Sequence, residues 1–163
     1  MRPSTAFPKL AALVLTGFIA ALPANSAGAV AIAIIVNKAN STSSLTARQL
    51  KDLFSGGKTR WPDGQKVQAL ATSPDSPEHP AAIQFLFGMT EQEYRKYTIQ
   101  ANFTGKTDEV PKEAGSPQTV VSQVANTPGA IGFVNASLVG PNVKVVKIDG
   151  MAPGDPGYPL GAK

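Results

Sequence analysis

A carboxylate, a hydroxyl and an imidazole occur within five positions of one another, as Asp75, Ser76 and His79. These are the residue types of a nucleophilic hydrolase, in which the imidazole takes the serine proton and the carboxylate orients the ring. Such a triad normally draws its members from distant segments, so that nucleophile and base converge on one carbonyl carbon. A single short loop cannot arrange all three in this way. We therefore expect Ser76 and His79 to serve as a cap and as a first residue of a helix.

The residues needed for most other catalytic and metal-dependent chemistry are missing from this chain of 163 residues. With no Cys and one His, the sequence excludes a thiol nucleophile, a disulfide framework and nearly every zinc or copper site built on imidazole. Glu91 and Glu93 lie two positions apart on a predicted helix and point to different faces, so they do not form a catalytic pair. No glycine motif of a phosphate loop or dinucleotide site occurs. We therefore predict a protein that is not an enzyme and needs no metal or cofactor.

The charge distribution argues against nucleic acid as a partner. The chain has 15 basic and 11 acidic residues, and its first 29 residues hold two of the basic residues and none of the acids. The remainder is close to balance and contains no basic run, unlike the electrostatic footprint of a DNA- or RNA-binding protein. An aromatic share of 7% also leaves few side chains for base stacking.

The first 29 residues have the pattern of a secretory signal peptide. Arg2 and Lys9 precede the uncharged stretch 10–22, and Ala27-Gly28-Ala29 fits the small-residue cleavage pattern. The uncharged stretch is too short for a comfortable membrane span, which needs about 20 apolar residues. We predict that residues 1–29 are removed and that the mature protein is periplasmic, without stable membrane insertion. The alternative is an uncleaved membrane anchor.

Four helices are predicted from their start signals and apolar faces. Two of them begin with a threonine followed three positions later by a glutamine or glutamate, the spacing of a capping box. The other two have a proline in the first turn, where its missing N–H has no helical partner to lose. The predicted helices cover residues 45–54, 80–88, 91–103 and 116–126.

Short apolar runs between the helices predict strands. Val30 to Val36 is apolar and largely β-branched, as expected for a strand buried on both faces. Further strands are predicted at residues 67–71, 130–134 and 143–148. Because strands alternate with helices, the fold class is α/β with a mixed sheet. We expect residues 104–115 to form a polar loop, residues 30–150 to form the domain, and the proline- and glycine-rich tail 151–163 to be loosely ordered.

The predicted helix that starts at Ser116 offers a candidate anion site. The Ser116 hydroxyl and the free amides that follow Pro117 favour a negative charge, as does the helix dipole. Lys106 and Lys112 in the preceding segment would add positive charge. The alternative is that these lysines are ordinary solvated side chains.

Three segments together resemble one family: Val36–Asn40 with Ser43–Thr46, Leu50–Asp63, and Asn126–Val134. Their order and spacing are similar to those of the second lobe of phosphate ABC transporter substrate-binding proteins, in the type 2 periplasmic-binding-protein superfamily. The mature chain from Val30 to Gly150 resembles the short, single-lobe members most. The resemblance implies a single lobe of the type 2 periplasmic-binding-protein fold, with a mixed sheet flanked by helices.

The resemblance also implies where a ligand would bind. In two-lobed relatives the ligand lies between the lobes, and the second lobe contributes an arginine and then Gly-Ser-Gly-Thr at a helix N-terminus. The similar stretch here is 72–79, in which Ser76 keeps the serine and Thr72 stands at the arginine position. The hydroxyls of Thr72, Ser73 and Ser76 are thus candidate ligand donors. Turn formation and helix capping are their alternative roles.

The same stretch departs from the family motif in ways that disfavour an anion. Asp75 and Pro77 replace the glycines, and Glu78 replaces the threonine. Each acid, if exposed, would oppose an anion at the helix start by about 0.3–1 kcal/mol. Pro77 removes one N–H donor, and no arginine fork is present at Thr72 to grip an oxyanion.

The resemblance implies an exported solute-binding protein that binds a small oxyanion such as phosphate, or an accessory component, with an ABC permease as partner. The departures in the stretch 72–79 favour an alternative, a lobe that has lost its ligand and acts in interaction or regulation. Its exposed cleft face would then pair with a second copy or with another periplasmic protein.

Overall fold

The computed structural model describes residues 30–161, in which a six-stranded mixed sheet lies between two layers of helices. The strands are β1 (Ile32–Asn37), β2 (Ser44–Leu45), β3 (Gln68–Thr72), β4 (Lys112–Gly115), β5 (Ala130–Asn135) and β6 (Val143–Ile148). Their order across the sheet is β2-β6-β1-β5-β3-β4. Strand β1 is antiparallel to β5 and β6, whereas β3 is parallel to β4 and β5, and β2 is parallel to β6. The predicted α/β class with a mixed sheet is confirmed.

The helices are α1 (Ala47–Phe54), α2 (His79–Phe87), α3 (Glu91–Phe103) and α4 (Pro117–Asn126), with 3₁₀ turns at Thr107–Glu109 and Ala136–Leu138. Both predicted capping boxes form, at Thr46 with Gln49 and at Thr90 with Glu93. Helix α2 ends at Gly88, whose left-handed φ of 67° suits a residue without a Cβ. The local start and stop signals therefore set the helix boundaries to within a residue or two.

Strand β1 is buried on both faces because the sheet has a core on each side. Ile32, Ile34 and Val36 pack in the larger core with α1, α2 and α3. Ala33 and Ile35 point the opposite way, into a smaller core with α4. The period-2 geometry of a strand sends successive side chains to opposite faces, so a strand between two cores has no polar face.

Residues of the family-like segments hold the sheet and the helices together. The buried Asn37 side chain donates to the carbonyls of Val124 and Ala125, 2.8 and 2.7 Å away, at the end of α4. The Trp61 indole donates to the Gly129 carbonyl at 2.9 Å. A Cβ on Gly132 would lie 2.7 Å from the Val120 Cγ1 atom, so α4 crosses β5 where only glycine leaves room.

One expectation about an irregular segment is corrected. Residues 104–115 are not all loop, since they contain the 3₁₀ turn and the edge strand β4. Strand β4 lies at the edge of the sheet and pairs with β3 on one side. Backbone hydrogen bonds hold it there, so its short polar sequence needs no alternating apolar pattern. In the tail, Tyr158 and Leu160 are 8% and 2% exposed and belong to the larger core.

The predicted signal peptide, residues 1–29, lies outside the described residues, as do the last two residues of the tail.

None of the helices between residues 30 and 161 combines the length and the apolar character that crossing a membrane requires.

Candidate functional site

The two stretches with predicted ligand-binding hydroxyls meet at one edge of the sheet. Strands β3 and β4 are parallel neighbours, so the loop after Thr72 and the turn at Gly115 leave the same edge. The Ser73 amide donates to the Gly115 carbonyl at 2.7 Å and ties the two stretches together. Thr72, Ser73, Ser76 and Ser116 therefore lie in one region, at the carboxyl ends of the parallel strands.

The four hydroxyls differ in exposure and in partners. Thr72 is fully buried, and its Oγ1 has no hydrogen-bond partner among the described residues. Ser76 is 8% exposed. The Ser73 Oγ accepts from the Asp75 amide at 3.4 Å, as in a turn. The Ser116 Oγ accepts from the Thr119 amide at 3.2 Å and caps α4.

The amides at the start of α2 are largely occupied within the loop itself. The Ser76 amide donates to the Ser73 carbonyl at 2.9 Å, and the His79 amide donates to the Ser76 carbonyl at 3.0 Å. Pro77 and Pro80 have no N–H. An anion at this helix start would meet few free backbone donors, unlike the anion sites that helix N-termini commonly make.

Acidic side chains near the start of α2 further disfavour an anion there. Glu78 is 1% exposed and its Oε1 has no hydrogen-bond partner among the described residues, while Asp75 is exposed on the same loop. Buried carboxylates are normally paired. A carboxylate this close to the first turn of α2 competes with any external anion for the positive end of the helix dipole.

His79 is the first residue of α2 and lies in an aromatic setting. Its ring centroid is 5.9 Å from that of Phe133 and 6.1 Å from that of Tyr94. The Nε2 atom is 3.5 Å from the Glu91 Oε2 atom, and neither ring nitrogen has a hydrogen-bond partner between residues 30 and 161. The ring therefore makes no hydrogen bond to Ser76, and the hydrolytic triad considered from the sequence does not form.

A groove with a volume of about 1050 Å³ opens beside this edge. One wall is a face of α3 with Glu91, Arg95, Thr98 and Asn102, spaced three or four residues apart. The other wall comes from the start of β4 and the segment before it, and His79 and Ser73 lie at one end. The groove thus reaches the loop in which the ligand donors were predicted.

Sequence reasoning missed this groove because both walls resemble solvent-exposed structure. The polar stripe on α3 is the pattern of an ordinary outer helix face, and β4 is too short and polar to predict as a strand. The stripe at Glu91, Arg95, Thr98 and Asn102 was the available signal. The sequence does not show that another segment faces this stripe, so the stripe alone does not indicate a groove.

The part of the groove beside Tyr94 carries negative charge. Tyr94 is 6% exposed and lines the groove. Burial raises the pKa of the Tyr94 phenol above its ordinary value, and the negative charges of Glu91 and Glu113 raise it further. Both carboxylates therefore act on the same phenol oxygen. A positively charged group placed there would be stabilised by both.

A second, smaller cavity of about 230 Å³ lies at the opposite, amino ends of β3 and β4. Lys58, Lys66 and Lys112 line it together with Asp108. Lys66 Nζ lies 3.7 Å from Asp108 Oδ1, and both side chains are mostly exposed. Thr107, Val110 and Lys112 also line the larger groove, so the two cavities are neighbours.

Comparison with proteins of known structure shows the same fold in phosphate receptors. An ABC-type phosphate transport receptor from Vibrio cholerae is 21% identical, with a TM-score of 0.64, and the match covers 80% of this chain and 53% of that one. A putative phosphate ABC transporter substrate-binding protein from Clostridium perfringens, solved with bound phosphate, is 23% identical, with a TM-score of 0.59 and coverages of 76% and 46%. PstS from Borrelia burgdorferi is 12% identical, with a TM-score of 0.60 and coverages of 82% and 55%.

The chain thus spans about half the length of these solved relatives. At such identities the likeness establishes the fold, and the single-lobe α/β architecture implied by the resemblance is confirmed. A search of curated proteins gave no match. A family model described as a PBP superfamily domain matches residues 24–154, most of the sequence. The chain therefore belongs to the family that this model describes, the PBP superfamily domain.

Proposed function

We propose that this chain is an exported, periplasmic solute-binding lobe that recognises a small solute at the carboxyl ends of β3 and β4 without catalysis. The observation that carries the proposal is the groove of about 1050 Å³, which opens beside the Ser73 loop and the start of α2. Ligands of open α/β sheets bind at the carboxyl ends of the strands. Membership of the PBP superfamily supports a solute-binding role.

Phosphate is the first solute to consider, because one solved relative is described with bound phosphate. The amides and acids around α2 give such an oxyanion little support here. It would depend on side-chain donors, and the groove offers the Ser73 hydroxyl and the cations Arg95 and Lys112. An ABC permease would be the partner that receives the loaded protein.

The binding proposal is tested by NMR titration of ¹⁵N-labelled protein with phosphate, sulfate and a panel of small organic solutes. Binding at the proposed site shifts the amide signals of Ser73, His79 and Glu113, and leaves those of α1 in place. A well-dispersed spectrum that no solute changes at millimolar concentration would refute solute binding. Shifts confined to Lys58 and Lys66 would place the anion in the lysine-lined cavity instead.

A second function, a lobe that acts through protein interaction, is favoured by the exposed end of α3. Phe103 is 88% exposed and Ile99 is 51% exposed. These two side chains lie one helical turn apart and form an exposed apolar patch, and such patches mark interaction surfaces. Light scattering and capture from periplasmic extract, with wild type and Phe103→Ser compared, test this function. A monomer that captures nothing in either form would count against it.

A further inference from the structure

The groove is larger than an inorganic oxyanion requires. Its volume of about 1050 Å³ lies just above the range, roughly 300–1,000 Å³, in which pockets hold organic ligands of many atoms. An ion such as phosphate would contact only one part of the walls. The size therefore favours an extended organic solute.

One end of the groove gathers acceptors of hydrogen bonds. Glu91 and Glu113 both act on the Tyr94 phenol, and Asp75 lies on the adjoining loop. The Glu91 Oε2 atom is buried and has no hydrogen-bond partner among the described residues. An ammonium group placed there would donate to carboxylates and face the aromatic ring of Tyr94, where a cation is also favoured.

Buried His79 adds a second observation, and its Nε2 atom lies 3.5 Å from the Glu91 Oε2 atom. Its side chain is 2% exposed, lines the groove and leaves both ring nitrogens without a hydrogen-bond partner in the described part of the chain. Buried polar groups in native proteins nearly always have a partner. A polar ligand in the groove would supply one, with a donor or an acceptor according to the ring tautomer.

The same groove also carries cations, so it does not suit a simple amine best. Arg95 lies one helical turn from Glu91 on α3, about 6 Å along the axis at 1.5 Å per residue. Although this spacing permits an ion pair, the salt-bridge contact of Glu91 is with His79. Arg95 has no salt-bridge partner among the described residues, so its guanidinium group is available to a ligand. Lys112 lies on the facing wall.

We propose that the groove binds a zwitterionic solute, an α-amino acid or a short peptide. Its ammonium group lies among Glu91, Glu113 and Asp75, and its carboxylate lies at Arg95. Thr98 and Asn102 continue the polar face along α3 and offer hydrogen bonds to the rest of the ligand. This inference rests on the proposed function and names the class of solute.

The test uses NMR titrations of the full chain with matched probes. Trialanine and free alanine represent the two sources of the zwitterion, N-acetyl-trialanine lacks the ammonium group, and trialanine amide lacks the carboxylate. We expect trialanine or alanine to shift the groove amides, and each blocked peptide to bind about tenfold more weakly, since charge-assisted hydrogen bonds are the strong ones. Equal binding of blocked and free peptides would overturn the inference.

Two variants assign the ends of the ligand. Arg95→Gln should abolish the difference between trialanine and its amide, and Glu113→Gln should abolish the difference between trialanine and its acetylated form. Arg48→Gln and Asp52→Asn, on the exposed side of α1, are the matched controls and should keep both differences. Thermal unfolding of each variant shows that the fold is kept. Differences that persist unchanged in Arg95→Gln and Glu113→Gln contradict the assigned ends.

Phosphate is the remaining probe, and it separates the two proposals. If phosphate shifts the groove amides and no zwitterion does, the solute-binding function stands and the zwitterion inference is wrong. If no probe shifts any groove amide of the folded protein, both are wrong.

Discussion

Under the proposed function, His79 has a structural role through its shape and a binding role through its ring nitrogens. Its ring packs between Phe133 and Tyr94 and so fills space in the larger core. Its nitrogens bring no hydrogen bond to that packing within the described residues. The shape of the side chain therefore stabilises the fold, and we expect its polarity to add little to stability.

The two contributions of His79 can be separated by substitution. His79→Leu keeps most of the volume and removes the unpaired nitrogens, so we expect the free energy of unfolding to be unchanged or higher by about 1 kcal/mol. His79→Ala leaves a cavity and should lower it by about 2–4 kcal/mol. Urea unfolding of both variants measures the difference. A loss in His79→Leu as large as that in His79→Ala would show that the ring nitrogens do contribute to the fold.

We expect Tyr94 to make the free energy of unfolding depend on pH in the alkaline range. Burial, aided by Glu91 and Glu113, raises its pKa in the folded state above the value of about 10 in the unfolded chain. As the pH rises past 10, the unfolded chain loses its proton first, so the free energy of unfolding falls. The free energy of unfolding of Tyr94→Phe should fall less steeply as the pH rises from neutral to alkaline values. Urea unfolding at a series of pH values measures both slopes, and equal slopes would contradict this account.

At the scale of secondary-structure elements, prediction succeeded where the signal was local. The caps at Thr46, Thr90 and Ser116 depend on bonds within three residues, and the sequence shows them directly. Strand β4 has no such local signal, because it forms by pairing with β3, which is distant in the sequence. The groove wall it forms could not be predicted for the same reason.

Ser116 tests whether a capping residue also binds ligand. Ser116→Ala should lower the free energy of unfolding by about 0.5–2 kcal/mol, through loss of the bond to the Thr119 amide. Ser116→Asp keeps an acceptor at the cap and should stay close to wild type in stability. If an oxyanion binds at Ser116, the added charge of Ser116→Asp will abolish its binding. Titration with phosphate, monitored by NMR, decides between a cap alone and a cap that also binds anions.

At the scale of the whole molecule, the sequence predicted the class of fold and left its assembly open. Alternating strands and helices indicated an α/β sheet, and the family-like segments indicated the lobe. The strand order β2-β6-β1-β5-β3-β4 depends on pairings between distant residues, such as Ile34 with Phe133 and Val146, which periodicity does not reveal. The convergence of the Ser73 and Ser116 stretches follows from that order, so it too appears only in three dimensions.

The tail shows how a composition typical of loose structure can still close a core. Its prolines and glycines make turns, and these turns carry Tyr158 and Leu160 back against the larger core beneath β1. Gly161 also forms a bridge with Ala31, which joins the end of the described chain to its beginning. We therefore expect the tail to unfold together with the lobe.

Leu160 measures how strongly the tail stabilises the lobe. Because its side chain is 2% exposed, we expect Leu160→Ala to lower the free energy of unfolding by about 2–4 kcal/mol, the range for leucine removed from a core. Pro156→Ala, at an exposed position of the same tail, is the control and should change it by less than about 0.5 kcal/mol. Urea unfolding followed by Trp61 fluorescence reports on the core, since Trp61 belongs to the same cluster as Leu160. A Leu160→Ala variant as stable as the control would mean that the tail rests on the lobe without closing its core.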